Sequence, residues 1–385
     1  MPRPAGTRLL LAVAVTAAFG VIAALLFKPS VADETSTIVT TAGRVLRIET
    51  IASDLDTPWD MAWGPDGAMW VTERAGHVSR IDMTTRTVTR AGDVPDVFES
   101  GEAGLMGMAF HPQFEREPWI YFAHSIRAGG GVRNRLVRLR YDNGTLGRAE
   151  TLIDDIPGAR NHDGSRLAFG PDGFLYMTTG DAAEAERAQI RSNLAGKILR
   201  LTPRGRPAPD NPFGTEIWSW GHRNPQGLAF HPATNALYSA EHGPGTSDEV
   251  NRIERGANYG WPDVRGACDA DSERSFCQRN SMIEPVTEFT PTIGVAGAAF
   301  YNGDAIPEWK GSLFVTALRG ATLVRIALTQ DGARAASVER LFESEFGRIR
   351  AVLAGPDGAL YIATSNRDGR GRPASSDDRI LRIRP

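Results

Sequence analysis

One phrase returns six times along this chain, and it limits the fold more than any other feature. "MAWGPDGAMWVTE" begins at Met61, "MAFHPQFEREPWIYFAH" at Met108, "LAFGPDGFLYMTTGD" at Leu167, "LAFHPATNALYSAEHGP" at Leu228 and "VLAGPDGALYIATSN" at Val352; a looser copy, "AAFYNGDAIPEWKGSLFVTALRG", begins at Ala298. Each copy is a short apolar run, a turn of Gly, Pro, Asp or Asn, and a second apolar run. Pro presets φ for the reversal and Asp-Gly accepts the tight turn, so each copy predicts a β-hairpin. The turns fall at Gly64, His111, Gly170, His231, Asn302 and Gly355, 47 to 71 residues apart. Six hairpins at that period predict an all-β fold, a six-bladed β-propeller with four-stranded antiparallel blades. A β-sandwich would not repeat its own sequence in this way, and a solenoid would repeat on a shorter, stricter period. The uneven spacing puts long loops on one face, where binding and catalytic groups tend to sit.

With 385 residues, 41% of them apolar, the chain can bury one large β domain without a second core. Its 41 Gly and 24 Pro mark turns rather than disorder, because 16 Phe, 8 Trp and 7 Tyr are spread among them. A net charge of −3 gives no field that would gather nucleic acid or anionic lipid. The first 32 residues are set apart. Arg3 and Arg8 flank an uncharged apolar run over 9–27, and "SVA" at 30–32 offers small residues for a cleavage site. A cleaved signal peptide and an uncleaved membrane anchor both fit, and either exports the rest of the chain to the periplasm or beyond. The expected organisation is a targeting segment over 1–32, a linker over 33–45 and a propeller over 46–385. No long helical periodicity appears after the targeting segment. The two cysteines, Cys268 and Cys277, suit an exported chain as one disulfide; free thiols stay open, while zinc would lack further ligands nearby.

The second run of several copies ends in polar residues: Glu73 and Arg74, Gly180 and Asp181, Glu241 to Pro244, Arg319 and Gly320, Ser365 and Asn366. Equivalent positions in successive blades lie at one end of a propeller, around its axis. These residues should converge on one rim, together with His162 and with "GHRNPQG" from Gly221 to Gly227. Arg348 and Arg350 alternate at strand spacing and share a face. A single solvated arginine is ordinary. Arg223, Arg319, Arg348 and Arg350 near one axis suit a polyanionic ligand, since guanidinium grips carboxylates in a bidentate fork. His111 and His231, each between Phe and Pro, are expected to be turn residues, and Trp59, Trp63 and Trp70 blade core. Asp248 and Glu249 fit either a calcium site or a solvated loop.

Eight motifs stand in order: "TPWDMAWGPDGAMWVTER", "GEAGLMGMAFHP", "NHDGSRLAFGPDGFLYMTTGD", "NLAGKILRL", "GHRNPQGLAFHP", "EHGPGTSDEVN", "GANYGWP" and "GRIRAVLAGPDGALYIAT". With this set the sequence resembles the soluble quinoprotein glucose/sorbosone dehydrogenases, especially their aldose sugar dehydrogenase branch, over about residues 55–383. The resemblance implies an oxidoreductase that takes aldose sugars at C1 to the lactone with pyrroloquinoline quinone (PQQ) and Ca2+, by hydride transfer to the quinone. It matches His162 to the family's general base, which takes the proton of the anomeric hydroxyl, and Asp181 to the residue that orients that histidine. Arg223 and Asn224 match contacts at the reactive end of the quinone, with Arg223 on the developing oxyanion. The carbonyls of Gly243 and Pro244 match calcium ligands, oxygen donors that suit a hard cation. Arg348 and Arg350 match the arginines on the cofactor carboxylates, and Arg319 falls where a basic cofactor contact, usually Lys, is expected.

Besides Arg319 for Lys, two departures stand out. Glu102 occupies a cofactor-binding position where the family commonly has Gln, which brings a carboxylate close to an anionic cofactor unless it is protonated, paired or turned away. His242 occupies a position where a glutamine is familiar. The implied partners are a small sugar and an electron acceptor that the sequence does not name. Six-bladed propellers also serve as binding modules and as calcium-dependent lactonases, and fold alone does not choose between them. A binding module would not need His162, Asp181 and the arginines together. A lactonase would need a cage of Asp, Glu and Asn side chains, which the sequence does not display.

Overall fold

In the first repeat, the runs Pro58–Trp63 and Met69–Glu73 pair antiparallel around the turn from Gly64 to Gly67. The Gly64 N–H donates to Ala68 O at 2.9 Å, Asp66 Oδ1 accepts the Ala68 N–H at 3.2 Å, and Gly67 takes a φ of +74°. This computed structural model describes Met1 and residues 35–39, 43–142 and 144–385. The targeting segment expected over 1–32 lies, beyond Met1, outside the described residues. No helix among the described residues is long and apolar enough to cross a membrane.

The same hairpin opens every blade. The inner strands are Pro58–Trp63, Leu105–Phe110, Leu167–Phe169, Pro225–Phe230, Val295–Phe300 and Ile349–Ala354. Each inner strand touches the next and the last touches the first, so six blades close into a ring, a six-bladed β-propeller. Five sheets have four strands and the sixth has five. Closure uses both ends of the domain. Val45–Ala52 pairs with Ile380–Arg384 in the sixth blade, and Glu49 forms ion pairs with Arg382 and Arg384 across that seam. The segment expected as a linker over 33–45 contains the fifth strand: Thr35–Val39, mostly β-branched, pairs with Val45–Ala52.

The core lies between neighbouring blades. Trp70 packs with Leu105, Phe122 and Val137 between the first and second, and Trp63 packs with Met69 and Tyr361 between the sixth and first. Trp59 is buried in the core as expected, with charged neighbours. It is 1% exposed, and its ring lies close to two guanidinium groups, with Arg166 Cζ at 4.3 Å and Arg350 Cζ at 5.7 Å. The sequence pattern also missed a helix, Asp271–Asn280, in the excursion within the fourth blade. Its residues are mostly polar and Cys277 is its one buried member, so no apolar stripe announces it. The Cys268–Cys277 disulfide is formed and ties this helix down.

Candidate active site

The site begins with a contorted loop. His162, Gly164 and Ser165 take φ values of +63°, +60° and +71° just before the inner strand of the third blade. Such conformations are held only where surroundings fix them, and they gather at functional sites. The strand Leu175–Thr179 runs back beneath this loop and ends at Gly180, where a Cβ would meet His162 O at 1.8 Å. Glycine at that point lets the loop and the strand end touch. They bring His162 Nδ1 to 2.8 Å from Asp181 Oδ1. Asp181 is buried; its Oδ1 also accepts the Ala183 N–H at 2.8 Å, and its Oδ2 accepts the Trp261 indole N–H at 2.9 Å. An ionised carboxylate only accepts, so it fixes the imidazole proton on Nδ1 and leaves the Nε2 lone pair for a substrate.

Arg223 and Asn224 lie beside this pair. The Asp181 N–H donates to Arg223 O at 2.8 Å, and the Gly164 N–H donates to Asn224 Oδ1 at 3.0 Å, so both residues are woven into the histidine loop. Arg223 Nη1 donates to His242 O at 3.0 Å, and its Cζ lies 5.2 Å from the Trp261 ring. A narrow cleft lined by Arg223, His242, Gly243, Pro244 and Trp261 opens here. Arg223 Nε, Asn224 Nδ2 and His242 Nε2 are buried with no hydrogen-bond partner among the described residues. Buried polar atoms are nearly always satisfied, so these three nitrogens mark a candidate ligand site. Beside them the carbonyls of half-buried Gly243 and exposed Pro244 accept no hydrogen bond among the described residues.

Arg348 and Arg350 reach the same rim. Asp368 Oδ2 accepts from Arg348 Nε at 2.8 Å and lies 4.0 Å from Arg350 Nη2. Arg350 Nη1 donates to Gln226 Oε1 at 3.0 Å, and its Nε reaches Ser365 Oγ at 3.4 Å. Burial pushes Arg350 down to about 10, which still leaves it charged at neutral pH. Arg319 is exposed, and its Nη1 reaches Thr292 Oγ1 at 3.4 Å. Glu102 is paired, with Oε1 accepting from Arg370 Nη1 at 2.6 Å and Oε2 lying 3.4 Å from the His162 backbone N. Burial would push the Glu102 carboxyl up, while the bonded Arg370 and the nearby Arg350 draw it down and favour its ionised form. Burial pushes the His242 imidazole toward its neutral form.

Asp248 and Glu249 do not lie in a solvated loop. They open the strand Asp248–Ile253 and are buried. Asp248 accepts the N–H groups of Gly243 at 2.8 Å and Ile293 at 2.7 Å, so it shapes the loop that carries the two candidate calcium carbonyls. Glu249 Oε2 and Glu241 Oε1 share the Asn251 amide at 2.9 and 3.0 Å. Burial pushes these carboxyls up, to about 8 and about 7. Among the described residues no three His, Cys, Asp or Glu side chains cluster so as to hold a metal ion. His111 and His231 are turn residues as expected, with Nδ1 accepting the N–H of Gln113 and of Ala233. A separate cavity of about 580 Å3 lies away from the rim, against the disulfide loop.

Sequence reasoning missed Trp261, Gln226, Asp368 and Arg370. Trp261 and Gln226 stand inside motifs already singled out, "GANYGWP" and "GHRNPQG". Asp368 and Arg370 follow the polar end of the sixth repeat, where no period marks them.

The glucose/sorbosone dehydrogenase family matches residues 55–381. The aldose sugar dehydrogenase YliI of Escherichia coli (strain K12) is 32% identical over 344 residues, which cover 85% of this chain and 92% of that protein. Quinoprotein glucose dehydrogenase B of Acinetobacter calcoaceticus is 32% identical over 410 residues, covering 82% and 84%. The solved PQQ-bound form of aldose sugar dehydrogenase from Streptomyces coelicolor is 37% identical, with a TM-score of 0.78, over 92% of this chain and 99% of that one. A family match across most of the chain, carried by a propeller whose rim holds the matched residues, places this chain in the glucose/sorbosone dehydrogenase family.

Proposed function

We propose that this protein is an exported aldose sugar dehydrogenase that oxidises its substrate at C1 and depends on PQQ and Ca2+. The observation that carries the reading is a histidine oriented by a buried carboxylate, beside an arginine and an asparagine with buried unpartnered nitrogens. When bound, PQQ would accept the two electrons of the oxidation and Ca2+ would add positive charge beside it. Arg348 and Arg350 would hold carboxylates of the cofactor, with Gln226 and Asp368 setting the directions of their guanidinium groups. Arg319, exposed at the rim, would add positive charge there. Arg223 and Asn224 would turn their unpartnered nitrogens to oxygen acceptors, and the Gly243 and Pro244 carbonyls would face the calcium ion.

His162 Nε2 takes the proton of the anomeric hydroxyl. Asp181, bonded to Nδ1, then stabilises the imidazolium. Asp181 is buried, while the His162 side chain keeps 16% of its surface exposed, enough to meet a substrate. Glu102, tied up by Arg370, adds little net charge against an anionic cofactor. The partners in this reading are a small aldose and an external electron acceptor, with export directed by residues 9–27.

Reconstitution tests the proposal. The exported domain, loaded with PQQ and Ca2+, should reduce a redox dye only when an aldose is added. Excess EGTA should abolish the activity, and added Ca2+ should restore it. A protein that binds PQQ yet turns over no aldose would be a binding module; full activity after verified metal removal would remove calcium from the account.

A further inference from the structure

Trp261 touches both halves of the candidate machinery. Its Nε1–H donates to Asp181 Oδ2 at 2.9 Å, and its ring lies 5.2 Å from Arg223 Cζ. The other oxygen of that carboxylate holds His162 Nδ1 and the Ala183 N–H, both at 2.8 Å. A buried carboxylate with both oxygens engaged cannot swing, and the imidazole bonded to it is held in one plane. We propose that Trp261 is a positioning residue for the His162–Asp181 pair, and that its indole N–H rather than its bulk carries the role. The inference rests on the reading of His162 as the base.

Trp261 is itself held firmly. Its N–H donates to Gly221 O at 3.0 Å, and its carbonyl accepts Gln189 Nε2 at 2.7 Å. The preceding Gly260 fits so closely under Met282 that a Cβ would meet Sδ at 2.6 Å. Met282 Sδ lies 3.9 Å from Cys268 Sγ and 3.6 Å from Cys277 Sγ. The disulfide loop therefore buttresses the turn that presents the indole. This gives the excursion in the fourth blade a task at the rim, although none of its own side chains reaches His162 among the described residues.

The indole bond also sets the charge that the histidine meets. An N–H donated to a carboxylate draws off part of its negative charge. Removing that N–H leaves a stronger acceptor, which favours the protonated imidazole. The other charged groups around the pair are Glu102 at the His162 backbone, Asp163 next in the chain, Arg223 and Glu241. Arg223 faces the Trp261 ring, so a variant that keeps the ring and drops only the N–H isolates the indole bond.

The test uses Trp261→Phe in the full domain without cofactor. The His162 titration, followed by NMR and assigned against His162→Ala, should move up by about half a pH unit or more. In the reconstituted enzyme kcat should fall about tenfold while KM changes little, the size expected for one charge-assisted hydrogen bond. In an Asp181→Asn background the same substitution should add little further loss. Replacing Trp261 with β-(3-benzothienyl)alanine keeps the ring shape and drops the N–H, and it should give the same shift if Phe disturbs the fold. An unchanged His162 midpoint in the benzothienyl variant, or an undiminished loss in the Asp181→Asn background, would overturn the proposal. A midpoint that shifts on substitution, in a protein whose wild type oxidises no aldose, would uphold the positioning role and overturn the proposed function instead.

Discussion

Asp163 follows the candidate base in sequence but turns into the protein. Asn134 Nδ2 and the Ala159 N–H donate to its Oδ1 at 2.8 and 3.0 Å, and its Oδ2 has no partner among the described residues. Burial pushes this carboxyl up to about 7. Unfolded, it titrates near its ordinary value of about 3.9, so between those values the folded state binds the extra proton. Its contribution to stability is full below about pH 4 and is lost as the pH rises to about 7. Asp163→Asn should therefore gain stability relative to wild type over that interval, by roughly 1–4 kcal/mol at pH 8. Urea unfolding of the cofactor-free domain at pH 4.5 and pH 8 checks this, and a difference that stays constant would show that Asp163 is not protonated in the fold. At this scale the sequence was most informative where a residue adjoins the repeat. His162, Asp181, Arg223 and Arg350 each flank a repeated strand, so their meeting could be foreseen from register. Trp261, Asp368 and Arg370 lie in loops of free length, and only the folded chain brings them to the rim.

Glycine has two separate uses in the strands and turns. Gly227 sits on the inner strand of the fourth blade, where a Cβ would meet Ala296 O at 2.5 Å on the next inner strand. Gly107 and Gly297, at the same place before the apolar triplet, would meet Ser165 O at 2.1 Å and Arg350 O at 2.8 Å. These contacts are with backbone and cannot yield, so the ring needs small residues there. Where the position carries side chains, Asp60 and Arg166 fill it as a buried ion pair. Gly67 is different: its φ is +74° and nothing lies within 4 Å of its missing Cβ. Gly227→Ala should cost roughly 2–4 kcal/mol by overpacking, while Gly67→Ala should cost about 1 kcal/mol from backbone strain. Paired urea titrations decide the matter; equal losses would remove the steric account of the inner ring. Elements without the repeat were the ones that escaped the sequence. The helix Asp271–Asn280 has no apolar face to betray it, and the strand Thr35–Val39 was hidden because a single edge strand has no repeat to place it.

The whole molecule was legible as a count of blades because each blade restates one hairpin and the inner strands must meet in a ring. How the ring closes was not, since pairing of Val45–Ala52 with Ile380–Arg384 joins segments more than 300 residues apart. The ring then does one chemical task. It carries loops from several blades to one rim, where His162 and Asp181 from the third, Arg223 from the turn into the fourth, and Arg348 and Arg350 from the sixth come together. The measurement that tests this most directly is anaerobic mixing of the PQQ- and Ca2+-loaded protein with an aldose, with the cofactor spectrum followed in time. The account predicts that sugar converts the oxidised spectrum of the wild-type protein to the reduced one, while His162→Ala binds PQQ equally well and is reduced about 10²-fold more slowly or worse. Equal rates of reduction in the two proteins, with cofactor verified in both, would contradict the assignment of this rim as the place where the sugar gives up its proton.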